Sequence, residues 1–154
     1  MTFTYNIFIN ITAPRLWEAL TSKELSSQYW SGRHILSEWK VGSRVSLIQK
    51  DGTSNWEGKI LSYEPYTTLS YTFDVSVDPR VHGINAKHSR FLADEPVSKV
   101  TFKLESVGDA TLLTIFHEDL SEVVEEVVCM SWAHVASSLK SVLETGKPLA
   151  TPDI

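Results

Sequence analysis

Near its C-terminal end this chain changes hydrophobic period, and that change limits its fold more than any single motif. Up to about His117 the apolar residues come in short runs at every second position. From Ser121 to Thr145 they recur every three or four. Val124, Val127, Val128, Val135, Leu139 and Val142 then fall on one helical stripe, with Glu122, Glu126, Lys140 and Glu144 opposite. At about 1.5 Å per residue such a helix is roughly 37 Å long, enough to cross a small domain. Ser121 reads as its N-cap, Glu122, Glu125 and Glu126 complement the positive helix end, and Gly146 suits the stop.

The runs before the helix read as strands. Phe3, Tyr5, Ile7, Ile9 and Ile11 share one face of the first, and Phe8 is the large apolar residue on the other. Pro14 opens a short helix carrying Leu16, Trp17 and Leu20, and the spacing of Thr21 and Glu24 predicts a capping box for a second one running toward Trp30. A further strand is expected at about 34–39. Residues 44–48 and 55–63 flank Asp51-Gly52 as a hairpin, with Trp56, Gly58 and Ile60 on one face, and Glu64-Pro65 ends the second strand. Leu69, Tyr71 and Phe73 alternate, as do Val100, Phe102 and Leu104. After Gly108-Asp109, Leu113, Ile115 and His117 share a face. The order is strand, two short helices, a run of antiparallel strands, then one long helix. Residues 75–96 form a long irregular stretch, and a loop of that length is uncommon unless it has a role.

Bulk properties exclude several functions. A chain of 154 residues suits one domain, residues 1–146, followed by a tail at 147–154. With 42% hydrophobic and 21% charged residues it is not disordered. A net charge of -5 and the lack of a Lys/Arg run argue against nucleic acid and against electrostatic docking to anionic membranes. The lone Cys129 can form neither an internal disulfide nor a cysteine-based zinc site. The N-terminus has no basic and apolar leader and no run is long enough to span a bilayer, so a cytoplasmic location is expected.

Several short matches run in order through nearly the whole chain: Pro14-x-Leu16-Trp17-x-Ala19-Leu20-Thr21, Trp30, Gly42, Gly58-x-Ile60, Glu64-Pro65, Leu69-x-Tyr71-x-Phe73, Thr111-x-Leu113-Thr114-Ile115-x-His117, Ser131-Trp132, and the closing Leu139-Lys140 with Leu143-Glu144-x-Gly146. Together they resemble the C-terminal domain of the heat-shock protein 90 ATPase activators and their stand-alone bacterial homologues. That family lies within the SRPBCC, START-like superfamily, which includes polyketide-cyclase-like proteins. The resemblance implies an α+β helix-grip fold of the START/Bet v 1 type: a curved antiparallel sheet wrapped around the C-terminal helix, with two short helices after the first strand. It also implies a place in the stress response. Two departures stand out. Ser131 replaces the family's usual glycine, which predicts a slightly wider helix–sheet spacing, and the 75–96 loop is long.

The resemblance does not settle function, because the superfamily hosts carriers, cyclases and co-chaperones. His34, His82, His88, His117 and His134 have no metal-ligand spacing. Cys129 and His134 lie roughly 140° apart around a helix and do not face each other. No nucleophile elbow, phosphate loop, zinc motif or dinucleotide fingerprint is present. No metal, cofactor or catalytic group is therefore expected. His117 has two readings: a core-edge histidine bonded to backbone, or the polar anchor of an apolar pocket. Trp30, Trp39, Trp56, Tyr71, Phe73 and Trp132 are expected near the space between sheet and helix, as core filling or as cavity wall. Small Ser131 and Ser138 amid the valines favour a cavity, with Ser131 and Val135 facing it and Trp132 at its edge. Trp17 reads as core.

The expected function is binding of a small apolar molecule by Trp30, Trp39, Trp56, Tyr71, Phe73, His117, Ser131, Trp132 and Val135, without catalysis. One alternative is a chaperone-associated interaction module. The activators carry a separate chaperone-binding domain for which these residues leave no room, so stimulation of a chaperone ATPase by this chain alone is not expected. A cyclase-like enzyme using the same cavity is the other alternative. The loop at 75–96, bearing Val81, Ile84, Phe91 and Leu92, is expected to cover the cavity mouth or contact a partner subunit in a homodimer.

Overall fold

The computed structural model describes residues 2–83, 86 and 89–150. The expectations placed on Ile84 and His88 lie outside the described residues. Strand β1 (Phe3–Ile9) leads into α1 (Ala13–Thr21) and α2 (Lys23–Tyr29), then β2 (His34–Ser37), β3 (Arg44–Ile48), β4 (Ser54–Glu64), β5 (Thr68–Phe73), β6 (Ser98–Val107), β7 (Ala110–Glu118) and α3 (Glu122–Thr145). The strands form one antiparallel sheet in the order β1-β7-β6-β5-β4-β3-β2. This is the helix-grip arrangement: a curved sheet whose concave side receives α3, with α1 and α2 closing it.

The alternating strands bury the faces that their parity predicts. Tyr71, Val100, Phe102, Leu113, Ile115 and His117 are all buried, while Phe8 is 55% exposed. At Gly58 a β-carbon would overlap the Thr72 carbonyl, so β4 approaches β5 there only because the side chain is absent. The neighbouring Lys59 amide bonds to the Thr72 hydroxyl at 2.9 Å.

Thr12 caps α1, with Pro14 in its first turn. The cap of α2 is Ser22 rather than Thr21. Ser22 Oγ accepts from the Leu25 amide at 3.1 Å, while the Thr21 hydroxyl turns back to donate to the Trp17 carbonyl. Thr21 thus closes the last turn of α1 and is not free to open α2.

The stripe that α3 buries also differs from the expected one. It runs Val124, Val128, Trp132, Val135 and Ala136, Leu139, Val142, with Val128 half-buried. Val127 is 46% exposed and Ser131 is exposed. Steps of four residues from Val124 carry the inward direction through Val128 to Trp132, and Ser131, about 100° behind, faces solvent. Ser131 therefore neither faces the sheet nor sets the helix–sheet spacing. Ser138 is buried, but its hydroxyl accepts from the Leu149 amide at 3.3 Å, so chain beyond α3 folds back over it.

Glu95 ties the 75–96 segment to the start of α3. Its carboxylate accepts from the Ser121 amide at 3.0 Å and the Ser121 hydroxyl at 2.6 Å, so the Ser121 side chain serves this link and caps nothing. Asp78 ties the segment's other end to the β3–β4 hairpin through Gln49 and Asn55. Between them lie two short 3-10 turns, Pro79–Val81 and Arg90–Asp94. At the far end of α3, Lys140 Nζ donates to the Phe8 carbonyl and Glu144 accepts from the Asn10 amide, with the two side chains paired at 2.7 Å.

Candidate functional site

Facing strands bring large rings to one place under α3. Trp56 from β4 stacks on Tyr71 from β5, with centroids 5.2 Å apart at 14°. Phe73, two residues along β5, lies 4.8 Å from Trp56 and meets His117 of β7 edge-on at 4.9 Å. Trp132 of α3 stands edge-on to Phe102 of β6 at 5.6 Å. Trp30, at the end of α2, meets Trp132 edge-on at 5.5 Å and Trp56 at 6.2 Å. Such edge and offset contacts add to area burial.

A polar chain runs through this cluster. The Trp132 indole donates to His117 Nδ1 at 2.9 Å, Ser98 Oγ lies 2.7 Å from His117 Nε2, and the Ser98 hydroxyl donates to the Phe73 carbonyl at 3.1 Å. An indole can only donate, so Nδ1 must accept and Nε2 carries the hydrogen. His117 is 0% exposed, and burial lowers its pKa to about 4. The ring is therefore neutral at pH 7, with both nitrogens engaged. Its two partners are the Ser98 and Trp132 side chains rather than a backbone group, and it has no nitrogen left to anchor a ligand.

Little space remains. The void between sheet and α3 measures about 10 Å³ and is lined by apolar and aromatic side chains, among them Leu20, Tyr29, Trp30, Tyr71, Trp132 and Val135. That holds one water at most. Burial, and secondarily the nearby Tyr29 hydroxyl, pushes the Tyr71 phenol up, and burial raises Tyr29, so both stay protonated. The Tyr29 hydroxyl donates to the Ala19 carbonyl at 2.7 Å. The buried indole nitrogen of Trp56 has no hydrogen-bond partner among the described residues.

Of the residues expected from sequence, Trp30, Tyr71, Trp132 and Val135 line the void. Trp56, Phe73 and His117 pack behind them in the same cluster. Trp39 and Ser131 are not brought there. Trp39 lies beyond the end of β2 in a left-handed conformation (φ 58°) and packs on Tyr63, 6.3 Å away, which in turn meets Trp17 at 5.3 Å. It belongs to that separate aromatic group. Sequence reasoning missed Tyr29 and Ser98. Tyr29 follows Ser26 at i+3 on the buried side of α2, and Ser98 is in phase with Val100, Phe102 and Leu104 on the buried face of β6, so extending that alternation by two residues would have found it.

A family model described as Activator of Hsp90 ATPase homolog 1-like protein matches residues 10–144. The chain belongs to that family. Solved structures with the same fold include a protein of Mesorhizobium loti (21% identity, TM-score 0.72, covering 94% of this chain and 97% of that one). The Aha1 dimer from Colwellia psychrerythraea is similar at 21% identity and TM-score 0.69, covering 96% and 98%. An Hsp90 activator of Plasmodium falciparum is similar at 16% identity and TM-score 0.70, covering 93% and 96%. No curated protein matches the sequence significantly. Among the described residues, no helix is long and apolar enough to cross a membrane, and no group of three or more His, Cys, Asp or Glu could hold a metal ion.

Proposed function

We propose that this family member is a binding module that admits a small apolar molecule between its sheet and α3, and that Trp30 is the side chain that yields. The observation that carries this reading is the apolar lining of the residual void beneath a Trp30 that is only partly buried. Small-molecule sites measure roughly 300–1,000 Å³, so a void of about 10 Å³ must expand to serve. Trp30 ends a seven-residue helix and is followed by Ser31 and Gly32, both left-handed (φ 57° and 83°). A short helix ending in such a turn is easier to displace than the sheet or α3. Trp56 lies behind the lining in edge contact with Trp30, so movement of Trp30 would let a ligand acceptor reach its unpartnered indole, and leaving such a buried donor unpaired costs about 1–3 kcal/mol.

The same geometry favours binding over catalysis. The groups near the void are neutral phenols and a neutral histidine with both nitrogens engaged, which supplies neither a base nor a nucleophile. The test is native mass spectrometry of the purified protein, followed by titration with an alkyl fatty acid while tryptophan emission is read. One-to-one saturation with altered emission supports the reading. No co-purifying molecule and no saturation by any chain length would refute it.

A second reading, chaperone contact, is favoured by a different surface. Val123, Val127 and Met130 are exposed at helical spacing on α3. The similar proteins from Colwellia and Plasmodium are described as Aha1 and as an Hsp90 activator. A saturable rise in heat-shock protein 90 ATPase rate on adding this chain, abolished by Met130→Glu, would establish that reading.

A further inference from the structure

Away from the aromatic cluster, three cations from three separate segments converge on one recess. Arg33 comes from the turn between α2 and β2, Lys50 from the β3–β4 hairpin and Arg80 from the 75–96 segment. The recess has a volume of about 310 Å³ and is completed by Ser31, Gln49 and Asp51. We propose that it binds a small organic anion bearing a phosphate or paired carboxylates.

The positions of the charges are built, not incidental. Asp78 is 3% exposed and fixes Arg80: its two oxygens accept from Arg80 Nε at 3.3 and 3.1 Å and from Arg80 Nη2 at 2.9 Å, and also from the Arg80 amide, Gln49 and Asn55. With its acceptor capacity filled, Asp78 pairs directly with Arg80 alone and reaches Arg33 only through space. Asp51 faces the recess too, but one oxygen already accepts from the Thr53 amide and hydroxyl at 2.9 and 2.6 Å. Its second oxygen remains to accept from a hydroxyl on the ligand. Lys50 lies across Gly32, where a β-carbon would come within 2.5 Å of Lys50 Cε, so the left-handed glycine leaves room for the lysine's path.

Arg33 is the informative member. It is partly buried, and among the described residues neither it nor Lys50 forms an ion pair. Burial first and the Arg80 charge second lower its pKa, with Asp78 only partly offsetting them. The fold thus holds a second guanidinium against one already fixed and gives it no acid of its own. Chains do not gain stability from such a pairing, and like charges only partly neutralised in a recess are characteristic of ligand sites. Guanidinium forks match phosphate and carboxylate oxygens in geometry. The volume exceeds what a bare oxyanion fills and sits at the lower end of small-molecule sites, which points to an organic anion.

The experiment is calorimetric titration of the folded protein with pyrophosphate and with citrate at low salt. Variants are Arg33→Gln and Lys50→Gln, with Arg44→Gln, exposed on β3, as control. The expected result is saturable binding with a Kd of about 1 mM or tighter for at least one probe, weakened about tenfold by either recess variant, unchanged in the control and reduced by added salt. Melting curves confirm that each variant is folded, and Lys50, which is exposed, carries the test if Arg33→Gln does not fold. Lack of saturation by both probes, or equal loss in the Arg44 control, overturns the proposal. Co-sedimentation with phosphatidylcholine vesicles containing phosphatidic acid, lost in Lys50→Gln, would identify a lipid headgroup as the source of the anion. Binding of the soluble probes without co-sedimentation identifies a free metabolite.

Discussion

Replacing His117 with glutamine isolates the energetic role of the buried ring. In the folded protein Nδ1 is occupied by the Trp132 indole hydrogen and Nε2–H points to Ser98, so a second proton would set one N–H against another. Burial lowers the folded pKa from the ordinary 6.5 to about 4. Below pH 6.5 the unfolded chain takes up a proton here that the folded protein does not. Stability from this group is therefore complete above pH 6.5, falls as the pH drops toward 4, and levels off below that. The displacement corresponds to about 3 kcal/mol, at about 1.4 kcal/mol per pH unit inside the window. A glutamine amide can accept from Trp132 and donate to Ser98 but cannot titrate. Urea denaturation followed by tryptophan fluorescence, at steps from pH 7 to pH 4, should show the wild type losing about 3 kcal/mol more than His117→Gln. If the two lose stability in parallel, or if the His117 ring resonances titrate near 6.5 in the folded protein, the account of a neutral, doubly engaged ring is wrong.

Three other substitutions test the packing. Gly58→Ala should cost at least about 3 kcal/mol by denaturant melting, because its methyl meets the backbone of β5 rather than a yielding side chain; a near-wild-type midpoint would refute the close approach. Glu95→Ala should cost about 1–2 kcal/mol and speed amide exchange in the first turn of α3, since the Ser121 amide and hydroxyl lose their acceptor; unchanged exchange there would remove the carboxylate link. Ser131→Leu should change stability by no more than about 0.5 kcal/mol and leave uptake of an apolar probe intact, because the side chain is exposed; a large fall in melting temperature would put it back inside.

What the sequence disclosed depended on how sharply each pattern chose between faces. In β7, Leu113, Ile115 and His117 alternate with Leu112, Thr114 and Phe116, and the shared parity was enough to place His117 inside. In α3 the same reasoning failed by one residue at Ser131 and Trp132. Valines occupy both sides of the first turns, buried at 124 and exposed at 123 and 127, so hydrophobicity alone did not fix the phase. The spacing from Val124 through Val128 to Trp132 and on to Leu139 would have fixed it. The charged recess was beyond reach for another reason: Arg33, Lys50 and Arg80 are far apart in sequence, and it takes the β2–β3 pairing to bring Arg33 beside Lys50 and the pinning of the 75–96 segment by Asp78 to add Arg80.

The clip between α3 and β1 bears on how this chain avoids unwanted assembly. An open sheet presents two edges, and each is a template on which another chain can add a strand. At β1 the Phe8 carbonyl and the Asn10 amide are already taken by Lys140 and Glu144, so an incoming strand must first break a paired lysine and glutamate. The other edge, β2, is covered as well: its Ile35 amide donates to the Ser26 hydroxyl of α2 at 2.9 Å, and the strand is only 4 residues long, shorter than the six- or seven-residue segments that nucleate stacked fibrils. The helix that fills the grip therefore also acts as a guard on the sheet's margin, and loss of Lys140 and Glu144 together would expose the protein to aggregation before it unfolded.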